Sequence, residues 1–167
     1  MTIIALGINH KSAPVNLREK VAFSPDKLAH ALQSCPQYTG AKQVVILSTC
    51  NRTEVYIKAK QPEDADKLCQ WLADFHQTDY EIINQHSYVK HGDNAINHLM
   101  RVACGLDSLI IGEPQILGQV KQAYTESKNA GKISAEFEKL FQSTFSIAKK
   151  VRTDTEIGAN AVSVAFA

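Results

Sequence analysis

The stretch VVILSTCNRTEVYIK, residues 44–58, has the pattern of two strands with a polar turn between them. Its first four residues are a continuous apolar run, which predicts a central strand buried on both faces of a sheet. From Glu54 to Lys58 polar and apolar residues alternate, which predicts a second, half-buried strand. The polar residues 48–52 are typical of a loop that leaves the end of a buried strand.

The sequence before and after this stretch supplies the rest of a sheet with helices. Residues 2–9 are β-branched and apolar and predict a first strand. Ser24 and Pro25 are a helix start, since serine favours the N-cap position and proline the first turn. A second helix is predicted after Pro62, and a last short strand near residues 87–90. The order β-α-β-β-α-β is the ferredoxin-like plan, so the predicted class is α+β.

The second half of the chain is helical in its pattern. Apolar residues at helical spacing predict three amphipathic helices: one over residues 93–104, one that opens at residues 112–114 and one from about residue 134. Two segments lie outside the ferredoxin-like plan. Residues 17–23 are a short helical piece, and residues 79–86 stay unassigned.

The domain organisation is predicted from these elements. We expect one N-terminal domain over residues 1–156, with the sheet in about residues 1–91 and a helical subdomain in residues 92–156. The chain ends in an uncharged apolar segment, residues 161–167. Natural domains seldom expose such an end, so residues 157–167 are interpreted as the start of a linker in a longer protein.

Composition excludes several classes of function. Eighteen basic residues against 17 acidic ones give a net charge of +1, unlike a protein that binds nucleic acid mainly through its phosphates. We find no membrane-length apolar run and no signal peptide. The four cysteines are widely spaced, which excludes a zinc motif and indicates a reducing, cytoplasmic location. Neither a GxGxxG fingerprint nor a P-loop is present.

Cys50 is the first candidate for chemistry. It follows the most buried predicted strand, where polar side chains reach the rim of a sheet and ligands commonly bind. The neighbouring Arg52 would favour the thiolate, the reactive form of cysteine. A small buried structural residue is the alternative for Cys50, and it is the interpretation of Cys35, Cys69 and Cys104.

Further candidates lie in the helical half. His98 lies on the flank of its helix and could act as an acid or base, although a helix-surface histidine is the plainer interpretation. Residues 105–115 join two helices but mix polar with large apolar residues, which favours a functional segment over a plain connection. Gln115 and Gln119 share one helix face, for which a solvated face is the alternative.

Two other features are interpreted as structural. His76 is expected at the surface or in a turn. The basic cluster Lys149, Lys150 and Arg152 is expected to be the exposed side of a helix.

Several motifs together resemble one known family. They are GINHKSAPV at residues 7–15, STCNRTE at 48–54, GLDS at 105–108, GEPQILGQV at 112–120, DTEIG at 154–158 and SVAFA at 163–167. In this order, and over the whole chain, they resemble glutamyl-tRNA reductase. The resemblance also implies that the chain lacks a linking helix, an NADPH-binding domain and a C-terminal dimerisation domain.

The resemblance implies an activity and a set of site residues. Glutamyl-tRNA reductase is an NADPH-dependent oxidoreductase that makes glutamate-1-semialdehyde for tetrapyrrole (haem, porphyrin) biosynthesis. The cysteine matching Cys50 attacks the aminoacyl ester to give a thioester, which hydride later reduces, and the family's important histidine matches His98. The implied substrate contacts are Thr49, Asn51, Arg52, Ser108, Glu113, Pro114, Gln115 and Gln119. Arg52 would hold a substrate carboxylate with a two-pronged hydrogen bond that lysine cannot copy.

The implied partners lie mostly outside this chain. NADPH would be bound by the absent domain, and no cofactor-binding or metal-binding residue is expected here. The full-length protein would be a homodimer that passes its product to glutamate-1-semialdehyde aminotransferase. The fragment would be monomeric, with esterase-type activity only.

Two other functions stay open at this point. One is a hydrolase or acyltransferase that uses Cys50 and His98 without hydride. The other is a non-catalytic RNA-binding module, although the first strands lack the paired aromatic residues that stack bases.

Overall fold

The computed structural model describes residues 2–155 of the chain. The strands are β1 (Thr2–Asn9), β2 (Val44–Ser48), β3 (Arg52–Ala59) and β4 (Tyr88–His91). The helices are α1 (Val15–Lys20), α2 (Pro25–Thr39), α3 (Asp64–Phe75), α4 (Tyr80–His86), α5 (Asp93–Ala103), α6 (Gln115–Asn129) and α7 (Ala135–Asp154).

The four strands form one antiparallel sheet in the order β2-β3-β1-β4. This order places β1 and β3 in the centre, as the ferredoxin-like plan requires. The predicted fold class is confirmed. Pairing of β1 with β3 runs from Thr2 opposite Ala59 to Asn9 opposite Arg52. The last residue of β1 and the first residue of β3 therefore lie side by side at one end of the sheet.

Local signals explain where the helices begin and end. Ser24 accepts a hydrogen bond from the amide of Lys27 at the start of α2, and Gly40 ends that helix in the left-handed conformation with φ +78°. The unassigned residues 79–86 contain helix α4, because the Asp79 side chain accepts the Glu81 amide at 2.9 Å and caps it.

Helices cover both faces of the sheet and form two apolar cores. The first core lies between the sheet and helices α2 and α3, with Ile4 and Trp71 among its fully buried members. The second lies between the opposite face and helices α5 to α7, where the rings of Tyr56 and Phe141 are 6.3 Å apart.

The expectation that β3 is half-buried was wrong. Glu54 and Tyr56 are 0% and 1% exposed. Their face of the strand is covered by α5, α6 and α7, which lie far away in the sequence. The helical part of the chain is thus a layer packed on the sheet. The domain boundaries stay a prediction, and the expected linker, residues 157–167, lies outside the described residues together with the motif residues 156–158 and 163–167.

Among the helices in residues 2–155, none combines the length and the apolarity that crossing a bilayer requires.

His76 is buried, which corrects the expectation of a surface position. It is 8% exposed, and its ring packs against Phe23 and Phe75 with centroids 4.5 and 5.1 Å apart. Among the residues that the structure describes, neither ring nitrogen has a hydrogen-bond partner. Burial, and secondarily the charge of Lys27, lowers the pKa of His76 from 6.5 to about 4.

This histidine makes stability depend on pH. Because its pKa is lower in the folded chain, the unfolded chain binds the proton first, and stability falls as pH decreases from about 6.5 to 4. We expect His76→Phe to flatten the pH dependence of the free energy of unfolding in this window, measured by urea denaturation at pH 7, 6 and 5. His91→Phe, a matched change at an exposed position, keeps the wild-type slope. An unchanged slope in His76→Phe would refute the assignment.

Candidate active site

The turn between β2 and β3 presents Cys50 at its tip. Thr49 closes this turn: its amide donates to the carbonyl of Arg52 at 2.8 Å, and its hydroxyl accepts the amides of Asn51 and Arg52, both at 3.2 Å. Side-chain hydroxyls stabilise tight turns in this way. The short turn leaves the Cys50 thiol exposed.

A small pocket surrounds this turn. It has about 270 Å³ of empty space and is formed by three segments: the β2–β3 turn, the loop from α5 to α6, and the first turns of α6. Its lining residues are Thr49, Cys50, Asn51, Arg52, Ser108, Leu109, Glu113, Ile116 and Gln119. Segments far apart in the sequence therefore bring seven of the ten predicted site residues to one place.

The other three predicted residues lie outside this lining. Pro114 and Gln115 are next to Glu113 at the beginning of α6, and the side-chain amide oxygen of Gln115, Oε1, is buried without a hydrogen-bond partner in the described part of the chain. His98 lines a neighbouring pocket of about 520 Å³, with Asn9, Lys11, Ser12, Tyr88, Lys90 and Asp107. His98 and Cys50 thus line two different pockets.

Arg52 is almost fully buried and pairs with two carboxylates. It is 2% exposed; Nη1 donates to Glu54 at 3.1 Å, and Nη2 donates to the Asp107 carboxylate at 3.0 Å. Nη2 also donates to the Asp107 carbonyl. Because Arg52 lines the Cys50 pocket and Asp107 lines the His98 pocket, this ion pair connects the linings of the two pockets.

Glu54 organises the site and was missed by sequence reasoning. Its carboxylate accepts hydrogen bonds from Arg52, from the hydroxyls of Tyr56 and Tyr88, and from Nε2 of His98. A carboxylate only accepts, so the His98 Nε2 carries a proton here. A fully buried charge needs such a set of donors.

The sheet register explains how Tyr88 reaches Glu54. Gly7 on β1 lies opposite Glu54 on β3 and opposite Tyr88 on β4. A Cβ at residue 7 would be 2.5 Å from the Tyr88 ring, so only glycine lets the tyrosine cross β1 to the carboxylate. The sequence carried a signal for Glu54, an acidic residue in a strand between Arg52 and Tyr56, but no pattern showed that this face is covered.

Electrostatics keep Glu54 ionised. Burial alone would raise its pKa, but the hydrogen bond from His98 and the charges of Arg52 and His98 outweigh this and lower the pKa from 4.5 to about 2. Burial and the neighbouring Glu54 raise the pKa values of the Tyr56 and Tyr88 hydroxyls, which stay protonated donors. His10 also faces this cluster: burial, and then the charge of Arg52, lowers its pKa.

The four cysteines, all among the described residues, differ in access. Cys35, Cys69 and Cys104 are buried and Cys50 is exposed. Burial raises the pKa of Cys35 to about 12 and of Cys69 to about 11, and it also raises the pKa of Cys104. A thiol reacts as its thiolate, so these three are poor nucleophiles.

The described residues do not form a cluster of metal ligands. Within residues 2–155 no group of three or more His, Cys, Asp or Glu side chains is placed to hold a metal ion. The Cys50 pocket is small and is lined mainly by polar side chains, which suits a small polar group.

Comparison with known proteins identifies the family. The family model described as "Glutamyl-tRNAGlu reductase, N-terminal domain" matches residues 6–155. The chain belongs to the glutamyl-tRNA reductase family. The resemblance found in the sequence motifs is thereby confirmed.

Individual relatives of the glutamyl-tRNA reductase family agree with this assignment. The chain is 62% identical over all 167 residues to glutamyl-tRNA reductase of Pseudoalteromonas atlantica, and 57% identical to that of Shewanella baltica. It spans 39% of the length of each. Among solved structures, glutamyl-tRNA reductase from Methanopyrus kandleri matches 96% of this chain and 37% of its own, with a TM-score of 0.79 and 32% identity.

The Glu54 cluster predicts how acid affects the fold. Since the folded pKa of Glu54 is depressed, its stabilisation is complete above about pH 4.5 and is lost as pH falls toward 2. Glu54→Gln removes the charge but keeps the shape, and we expect a loss of about 3–5 kcal/mol at pH 7, as for other broken buried ion pairs. The difference from wild type, measured by urea denaturation, shrinks as pH falls below 4.5.

A matched control separates this cluster from surface pairs. Glu136 pairs with Lys58 through a carboxylate that is 64% exposed, so Glu136→Gln leaves stability almost unchanged. Equal stability of Glu54→Gln and wild type at pH 7 would contradict the role given to Glu54.

Proposed function

We propose that this chain is the thioester-forming part of an NADPH-dependent glutamyl-tRNA reductase acting in tetrapyrrole biosynthesis. One observation carries the proposal. Cys50 is the exposed cysteine of the four and lies at the tip of a turn, inside a pocket lined by polar residues from three segments. That arrangement suits a nucleophile that receives a small polar acyl group.

The pocket residues divide the recognition of a glutamyl group between them. Glu113 offers a carboxylate for the α-ammonium group. Thr49, Asn51, Ser108 and Gln119 offer neutral hydrogen-bonding groups, with Pro114 and Gln115 next to them. Arg52 lines the pocket but is 2% exposed, and both of its Nη atoms already donate to Glu54 and Asp107. It therefore does not offer the expected two-pronged hydrogen bond to a substrate carboxylate, and its contribution to binding that carboxylate is electrostatic.

The proposed step forms one bond and breaks another. The Cys50 thiol loses its proton and its sulfur bonds to the ester carbonyl carbon, the carbon–oxygen bond to the terminal ribose breaks, and the leaving ribose oxygen gains a proton to become a hydroxyl. His98 exchanges this proton where the leaving ribose extends across the Arg52–Asp107 pair toward its pocket. Water then hydrolyses the thioester in this chain, which releases glutamate and restores the thiol.

The reductive half of the reaction is assigned outside this chain. NADPH supplies a hydride to a thioester carbonyl, which accepts it more readily than a carboxylate does. The sequence has neither a GxGxxG fingerprint nor a P-loop, and the family resemblance implies a separate NADPH-binding domain, so we place that site in another part of the full-length protein. The homodimer, the monomeric state of this chain and the hand-off to the aminotransferase rest on the family resemblance. The cytoplasmic location rests on the widely spaced cysteines and on the lack of a recognisable signal peptide in the sequence.

The structure weighs against the two alternatives. A hydrolase in which His98 activates Cys50 needs the two side chains in contact, whereas here they line different pockets and the His98 Nε2 bonds to Glu54. An RNA-binding sheet needs one open face on which bases stack. Helices cover both faces of this sheet.

The proposal predicts an NADPH-independent esterase. We expect the chain to release glutamate from glutamyl-tRNA, measured by acid-precipitable radioactivity, with no oxidation of NADPH when it is added. Cys50→Ser abolishes the release, while Cys104→Ala, a change at a buried thiol, retains it. Release that persists in folded Cys50→Ser would exclude Cys50 as the nucleophile, and NADPH oxidation by this chain would contradict the placement of the cofactor site.

A further inference from the structure

The loop from α5 to α6, residues 104–114, supplies three of the residues that line the Cys50 pocket, Ser108, Leu109 and Glu113. Backbone hydrogen bonds give this loop only part of its shape: the Gly112 amide donates to the Gly105 carbonyl at 2.9 Å, and the Glu113 amide to Ile110 at 3.1 Å. The pocket therefore depends on what holds the end of this loop in place.

Arg152, in the last turn of α7, holds that end. Its Nη1 donates to the carbonyl of Gly112 at 3.1 Å and its Nη2 to the carbonyl of Glu113 at 2.5 Å. The expectation that Arg152 is simply exposed, together with Lys149 and Lys150, was wrong for Arg152. Its guanidinium is turned inward onto the loop, because two successive carbonyls match its two-pronged shape.

The loop is built to admit this side chain. Gly105 has φ +80° and faces Arg152, whose Nη2 would be 3.1 Å from a Cβ at that position. Gly112 also has φ +80°. The two glycines thus bring the loop backbone close to itself and to the guanidinium, which only residues without a side chain allow.

The Arg152 guanidinium contacts the loop backbone rather than an acidic side chain in residues 2–155. Among the described residues Arg152 forms no ion pair with a carboxylate, and its partners are the two carbonyls. These carbonyls immediately precede Pro114 and the first turn of α6. Holding them fixes both the position of the Glu113 side chain and the direction in which α6 presents Gln119 to the pocket.

We propose that Arg152 is a positioning residue for the substrate: it fixes the backbone of residues 112 and 113 so that Glu113 and the start of α6 face Cys50. The inference rests on the proposed function for what the pocket binds. Cys50 itself lies on the other side of the pocket, on the β2–β3 turn, which Arg152 does not contact. Loss of Arg152 therefore weakens substrate binding more than it weakens the reactivity of the thiol.

The test compares Arg152→Gln and Arg152→Lys with Lys149→Gln, a matched change of a basic residue on the same helix. In acylation of Cys50 by glutamyl-tRNA, we expect Arg152→Gln to lower the second-order rate constant about 10–100-fold, as for other misplaced binding groups. This decrease in the rate constant comes mainly from a higher KM for glutamyl-tRNA. Arg152→Lys, which can hold one carbonyl, is intermediate, and Lys149→Gln equals wild type.

Two further measurements make the outcome decisive. Alkylation of Cys50 by iodoacetamide keeps its wild-type rate in Arg152→Gln, and amide hydrogen exchange becomes faster in residues 105–116 but not in residues 48–54. Wild-type KM with wild-type exchange in Arg152→Gln overturns the inference, as does a loss of rate that falls equally on alkylation and acylation. If wild type forms no acyl-enzyme, the proposed function fails, and faster exchange confined to residues 105–116 still supports the hold of Arg152 on the loop.

Discussion

A carboxylate that is buried away from water needs hydrogen-bond donors. In this fold the carboxylate of Glu54 determines the positions of four donor side chains. It draws the Arg52 guanidinium, the His98 ring and two tyrosine hydroxyls to one point between the sheet and its second helical layer. Breaking any one of these contacts leaves charge or polar groups buried without partners. The constraint therefore ties β3, β4 and α5 together and sets the side of the pocket from which Arg52 approaches.

The same cluster lies between the two residues, Cys50 and His98, to which the family resemblance gives roles in one reaction. Cys50 and Arg52 line one pocket, and His98 lines another behind the Arg52–Asp107 pair. A substrate ester that reaches both would lie across this pair, with its acyl group at the thiol and its ribose toward the histidine. Arg152 controls the opposite wall through the loop backbone, so the pocket is bounded by one fixed turn and one held loop.

Local patterns in the sequence predicted the turn and the loop well. The apolar run before Ser48, the polar residues around Cys50 and the unusual composition of residues 105–115 are all local features, and the structure brings them into one pocket. The burial of Glu54, His76 and Arg152 was not predictable in this way. Each depends on a segment distant in the sequence: helices α5 to α7 for Glu54, Phe23 for His76, and the loop at Gly112 for Arg152. Periodicity shows which face of an element is polar but not what covers it.

The central claim is that Cys50 becomes covalently acylated, and intact-protein mass spectrometry tests it most directly. The chain is mixed with glutamyl-tRNA, quenched in acid and weighed, and the modified peptide is then sequenced, with Cys50→Ser treated in parallel. The account predicts a single added glutamyl group on the peptide that contains Cys50, and no addition to Cys50→Ser. A folded wild-type chain that leaves the ester intact and gains no mass, or one that carries the group on another residue, would contradict it.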